Sequence, residues 1–289
     1  MKDKLIIILS FLTVIYTNQS FAQYDWTRDS NNPVLTGSST AISHICDPSV
    51  IYDYDENKFK LWAGCVESNV TYASICYSES IDGSNWTVPI IIFSPSSVAE
   101  EWDNSKTEIP TVILDTTELD TLKRYKMWYG GADSLNPDLI KIGYAYSHDG
   151  ITWIRLPAAQ SPHNKDGLVM IPGFTVGDAG VLSDPTAIKV NGIFHIWYNS
   201  FGTTNNILIS HATSTDGINW TKDVSNPVMV PNVSWENYGP NVITEDVSHP
   251  SVIIDSSTSE FLMCYGSFDS TIFETYTGLG YARSVDGTT

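Results

Sequence analysis

Apolar and polar residues alternate in short runs along this chain, and the runs come in sets of four. The first run of each set reads "DPSVIYD" from Asp47, "IPTVILD" from Ile109, "DPTAIKV" from Asp184 and "HPSVIID" from His249. A second follows: "KFKLWAG", "RYKMWYG", "IFHIWYN" and "EFLMCYG". A third reads "ICYSESIDG", "IGYAYSHDG", "ISHATSTDG" and "LGYARSVDG", and a fourth opens at a tryptophan, as in "NWTVPIIIF", "TWIRLP" and "NWTKDVSNPVM". Each run is short, rich in β-branched and aromatic residues, and bounded by Gly, Asp, Asn or Pro, so each predicts a strand. No long stretch carries the 3.6-residue periodicity of an amphipathic helix.

Four strands per repeat, recurring along one chain, predict an all-β propeller of four-stranded antiparallel blades. The blades fall near 44–95, 104–160, 180–230 and 245–289 of a single domain, 23–289. The Asp-Gly pairs at 82–83, 149–150, 216–217 and 286–287 supply the turn into the outer strand, where glycine tolerates positive φ. Trp62, Trp128 and Trp197 share one repeat position and are expected between blades. "DWTRDSNNPVL", within 24–35, matches the outer strand "NWTKDVSNPVM", and "YARSVDGTT" supplies the residues that should precede such a strand. Residues 24–35 are therefore a candidate closing strand, either completing the fourth blade or belonging to a fifth.

Residues 1–22 have the form of a secretory signal peptide: Lys2 and Lys4, an apolar run from Leu5 to Tyr16, and a small residue, Ala22, for cleavage. That predicts a secreted, periplasmic or cell-surface protein with no membrane span. The net charge of −18 repels phosphate backbones and makes nucleic acid an unsuitable partner, while a neutral sugar meets no such barrier. Export permits disulfides among Cys46, Cys65, Cys76 and Cys264. Cys65 with Cys76 is the favoured pair, beside the alternative of four thiols.

The residues leading into the innermost strands are the candidates for chemistry. Asp47 precedes Pro48, Glu108 lies two before Pro110, Asp184 precedes Pro185, and His249 precedes Pro250 with Glu245 and Asp246 just upstream. In a propeller these positions converge on the axis. Gathered carboxylates repel one another and spread their pKa values, so that one stays protonated while another stays ionised. Glycoside hydrolysis needs that division. The plainer alternative is that each acid caps a turn. Trp102 and Trp235, each followed by an acid (Asp103, Glu236), occupy matching loop positions; they are read either as platforms for a sugar or as loop packing. His249 would hydrogen-bond within the site or serve structure alone. No metal or other cofactor is expected, although the oxygen-rich axis suits calcium chemically.

The Pro-[Ser/Thr]-[Val/Ala]-Ile strands, the [Tyr/Phe]-x-x-Trp strands and the Ser-x-Asp-Gly-x-x-Trp turns together resemble the five-bladed propellers of glycoside hydrolase family 43 and its relatives, over essentially the whole of 23–289. The resemblance implies a base at Asp47 and a pKa-modulating aspartate at Asp184. The family's blade-four acid finds Ser248-His249 here, with Glu245 the nearest glutamate, whereas Glu108 matches the blade-two position that the related family 32 would recruit. The activity implied is inverting hydrolysis of neutral arabinose- or xylose-type glycans by an exported, monomeric enzyme; a non-catalytic carbohydrate-binding or surface propeller is the alternative. The turns also resemble the Asp box of sialidases, but the chain's arginines are only Arg28, Arg124, Arg155 and Arg283, too few and too scattered to clamp a sialic acid.

Overall fold

The computed structural model describes residues 30, 32–37, 42–68, 72–173, 179–201, 206–233, 236, 246–269 and 275–289. Residues 1–22, Trp235, Glu245 and most of the candidate closing strand lie outside the described residues.

The fold is all-β, a propeller of antiparallel blades. Blade one contains β1 (Ile42–Asp53), β2 (Lys58–Glu67), β3 (Ala73–Ser80) and β4 (Ile90–Phe93). Blade two contains β5 (Lys106–Leu114), β6 (Tyr125–Ala132), β7 (Lys141–Ser147) and β8 (Trp153–Arg155), with β9 (Leu168–Met170) also paired to β7. Blade three contains β10 (Ala179–Val190), β11 (Ile193–Phe201), β12 (Ile207–Ser214) and β13 (Thr221–Lys222). In blade four the described strands are β14 (Ser248–Ile254), β15 (Phe261–Asp269) and β16 (Thr275–Ser284). Within every blade the strands pair in chain order. Among the described residues no helix is long and apolar enough to cross a membrane.

One device joins the blades. In the turn after β3, Asp82 Oδ1 accepts the backbone N–H groups of Ser84 and Asn85 at 2.9 and 2.7 Å, and Ser80 Oγ accepts that of Gly83 at 2.9 Å. Asp149, Asp216 and Asp286 repeat the arrangement. The glycine carbonyl so presented receives the indole of the preceding blade: Trp62 Nε1 donates to Gly150 O at 2.6 Å, Trp128 to Gly217 O at 2.8 Å and Trp197 to Gly287 O at 2.8 Å. All three indoles are fully buried. Glycine is needed twice over at these turns. The backbone of Gly217 sits at φ +75, and a Cβ there would lie 2.8 Å from Trp128 Cζ2.

Each outer segment then packs on the next blade. Phe93 joins Trp102 and Tyr129 of blade two, Met170 joins Leu182 and Ile196 of blade three, and Met229 joins Val252 and Phe261 of blade four. Leu35 does the same on blade one, against Leu61, Ala63, Cys65 and Cys76. The far face of blade four is different: Cys264 replaces the tryptophan and is exposed, as are Ile253, Leu279 and Tyr281. All four cysteines are free thiols, so the favoured Cys65–Cys76 pairing is not formed. The two side chains lie on one face of β2 and β3, where Cys65 Sγ turns to Ser74 O at 3.4 Å.

Candidate functional site

The four innermost strands, β1, β5, β10 and β14, share an irregularity. Their pairing slips between Cys46 and Ser49, Glu108 and Thr111, Ser183 and Thr186, and Ser248 and Ser251. At each slip the residue before the proline is in the left-handed region: Asp47 at φ 50, Ile109 at 53, Asp184 at 50 and His249 at 53. Such a bulge re-aims side chains. A non-glycine residue held there costs of order 1–3 kcal/mol, sustained by the surrounding sheet. The strain belongs to the blade, because Ile109 carries it with no polar group to present.

The bulges surround an axial cavity of about 210 Å³, lined by Asp47, Asp184, His249 and the prolines Pro48, Pro110, Pro185 and Pro250. Asp184 is its anchor. Ser183 Oγ donates to Asp184 Oδ2 at 2.7 Å and Asn199 Nδ2 donates to the same oxygen at 2.8 Å, while His249 Nε2 lies 3.1 Å from Oδ1. Burial pushes this carboxyl above the ordinary range, the His249 imidazole and the Ser183 hydroxyl pull it down, and Asp47 pushes it up again. Glu108 stands one residue before the left-handed position, with Lys106 Nζ 3.1 Å from its Oε1. Its carboxyl is also raised, first by burial and then by Asp184 and Asp47, against the pull of Lys106. Asp47, Glu108 and Asp184 thus share one electrostatic environment. His249 completes it, with Nδ1 2.9 Å from Ser248 Oγ.

Trp102 is not part of this group. It is buried between blades, only 4% exposed, stacked on Tyr129 with its Nε1 donating to Asp166 O at 2.7 Å. It has no face to offer a sugar, which corrects the platform reading in favour of loop packing. The acid that follows is a strut: Asp103 Oδ2 accepts Tyr129 Oη at 3.0 Å and Arg155 Nε at 2.8 Å. Glu236 takes the corresponding part in blade four, accepting Tyr265 Oη at 2.6 Å. Trp235 and Glu245 fall outside the described residues, so neither is placed. Among the described residues no group of three or more His, Cys, Asp or Glu side chains is arranged to hold a metal ion.

Asn199 is the residue the sequence reading missed. The position two after the interblade tryptophan is Gly64, Gly130 and Gly266 in the other blades, counting Cys264 as the tryptophan of blade four, and asparagine only in blade three. That single departure from the repeat was the available signal.

No protein-family model matches the chain, and no curated protein sequence matches it. Solved structures do match. An α-L-arabinofuranosidase from Lactobacillus brevis is 15% identical, with 86% of this chain and 74% of that one covered, at a TM-score of 0.60. An N-acetylgalactosamine deacetylase from F. plautii, solved with blood group B trisaccharide, is 17% identical over 88% and 75%, at 0.63. A protein solved as a complex of BT0996 with RGII is 19% identical over 79% of this chain, at 0.60; the present chain spans 63% of that protein's length. These likenesses establish the propeller fold, including the fold of glycoside hydrolases such as the arabinofuranosidase. They do not select an activity, since a deacetylase carries the fold as well.

Proposed function

We propose that this protein is an exported glycosidase that hydrolyses neutral arabinose- or xylose-type glycans at the axial cavity. The observation that carries the reading is the convergence of Asp47, Glu108 and Asp184 on one electrostatic environment. Glu108 is pushed towards its protonated form by burial and by its acidic neighbours, whereas Asp47 lines the open cavity. In the proposed step Asp47 takes a proton from water as the water oxygen attacks the anomeric carbon. Glu108 gives a proton to the departing glycosidic oxygen. Inversion then requires the two carboxyls about 6.5–9.5 Å apart in the working complex. Three carboxyls against one lysine, Lys106, favour a neutral sugar over a uronate. The sugar-bound and arabinoside-cleaving proteins that share the fold support a glycan as the ligand.

The test is a panel of aryl arabinofuranosides, aryl xylosides and their polymers, with Asp47→Asn and Glu108→Gln beside the wild type. Turnover by the wild type and its loss by at least ~100-fold in either variant is expected from loss of a general acid or base. Undiminished rates in Asp47→Asn would refute the assignment. A second reading, a propeller that binds glycans without cleaving them, is favoured by Ser248-His249 standing where the resembled family places its acid. Glycan binding with no release of reducing ends by the wild type would decide for it.

A further inference from the structure

The side-chain amide of Asn199 has no freedom of orientation. It is buried on β11, and its Oδ1 accepts the backbone N–H of His249 at 3.0 Å. A backbone N–H can only donate, so the atom facing it must be the oxygen. Nδ2 therefore faces Asp184 and must donate to Oδ2. The hydroxyl-bearing oxygen of a neutral carboxyl is a poor acceptor, so this bond makes Oδ2 the accepting oxygen and leaves Oδ1 to any proton. Oδ1 is the atom 3.1 Å from His249 Nε2.

The repeat shows that none of this serves the fold as such. At the same rung Gly64 pairs with Cys46, Gly130 with Glu108 and Gly266 with Ser248, and those blades form the same bulge without a side chain there. A Cβ on Gly64 would lie 3.7 Å from Asp47 Oδ2, and one on Gly130 would lie 3.7 Å from Glu108 Cγ. In blades one and two, then, the position looks onto the axial acid, and only blade three puts a side chain there.

We propose that Asn199 is a positioning residue: by bonding Asp184 and the His249 backbone together, it confines the proton of the Asp184–His249 pair to the line between Oδ1 and Nε2. The imidazole is thereby held as the proton-carrying group that blade four brings to the axis. Among the described residues, Asp47 on β1, and Glu108 with Lys106 on β5, are the other charged groups converging there, and Ser248 Oγ holds the second ring nitrogen. The inference deepens the glycosidase reading but needs it only for the rate measurement below.

The experiment is an NMR titration of the His249 ring in the full chain, assigned by loss of its signal in His249→Gln. It compares wild type, Asn199→Gly and Asn199→Asp. Glycine, the residue of the other blades, removes the donor. Asp184 then becomes easier to protonate, the negative charge beside the ring weakens, and the midpoint should fall by about one pH unit. Aspartate adds a second carboxylate, and the midpoint should rise by a similar amount. Opposite shifts, with melting temperatures near wild type, support the proposal. Coincident midpoints, or shifts of one sign, overturn it. If the wild type also cleaves a glycoside, Asn199→Gly should lower kcat with KM little changed. If it cleaves none, the glycosidase reading fails and the titration still decides the proposal.

Discussion

His211 makes the joint between blades three and four sensitive to acid. It lies on β12, only 2% exposed, with its ring 4.9 Å from that of Trp197. Its Nε2 meets His195 Nδ1 at 3.2 Å, while Asp223 Oδ2 stands 3.6 Å from Nδ1. Burial, and then the His195 imidazole, push its pKa down to about 4, against the pull of Asp223. In the unfolded chain the ring titrates at the ordinary value of about 6.5. Between these two values the unfolded state binds a proton that the folded state refuses. The stabilisation is therefore complete above about pH 6.5 and lost progressively as the pH falls towards 4. A gap of about two and a half pH units corresponds to about 3 kcal/mol. In a chain of this size that is roughly 6–10 °C of melting temperature. Half-buried His195 is shifted in the same direction and adds to the loss. Carboxylates also respond to acid, so the assay is differential: thermal melts of wild type and His211→Phe from about pH 4 to 7.5, a range that brackets both titrations. The wild type should lose stability faster than the variant as the pH drops below about 6.5. Parallel curves would refute the buried neutral imidazole.

Other expectations follow from the joints and the cavity. Gly217→Ala adds a Cβ 2.8 Å from Trp128 at φ +75 and should cost roughly 2–4 kcal/mol in urea melts. Gly192→Ala, at φ +84 with nothing within 4 Å, should cost only about 1 kcal/mol; equal losses would show that the indole contact is unimportant. Lys106→Met removes the cation that holds the Glu108 carboxyl down. If Glu108 is the proton donor, the alkaline limb of the pH–rate profile should move to higher pH, and an unmoved limb would exclude it. Trp102→Phe loses the bond to Asp166 O and should lower stability by ~1–2 kcal/mol while sparing glycan affinity; a specific loss of binding would restore the platform role.

The architecture was legible because every level of the repeat agrees. The proline of each inner strand, the interblade tryptophan and the Asp-Gly turn each recur with their partners, and the structure joins Trp62, Trp128 and Trp197 to the next turn in the same way. The axial set was partly legible, since Asp47, Asp184 and His249 share one repeat position. Their left-handed backbone was not, because local preference opposes that conformation before proline and only the ladder on either side enforces it. Trp102 could not be resolved from spacing alone; its partner, Asp166, lies 64 residues away. Asn199 was visible as a break in the repeat, but its meaning needed the two bonds it makes.

The bulge before each axial proline also bears on how such a protein changes over generations. Ile109 adopts the same backbone pose as Asp47, Asp184 and His249. The pose is thus indifferent to what it displays, and each blade is a socket that accepts an acid, an imidazole or a hydrocarbon without renegotiating the sheet behind it. Duplicated blades can diverge one socket at a time. A new chemistry at the axis then requires substitutions at the socket and at the rung beneath it, the pair of positions filled here by Asp184 and Asn199, while the tryptophan joints go on holding the assembly in shape.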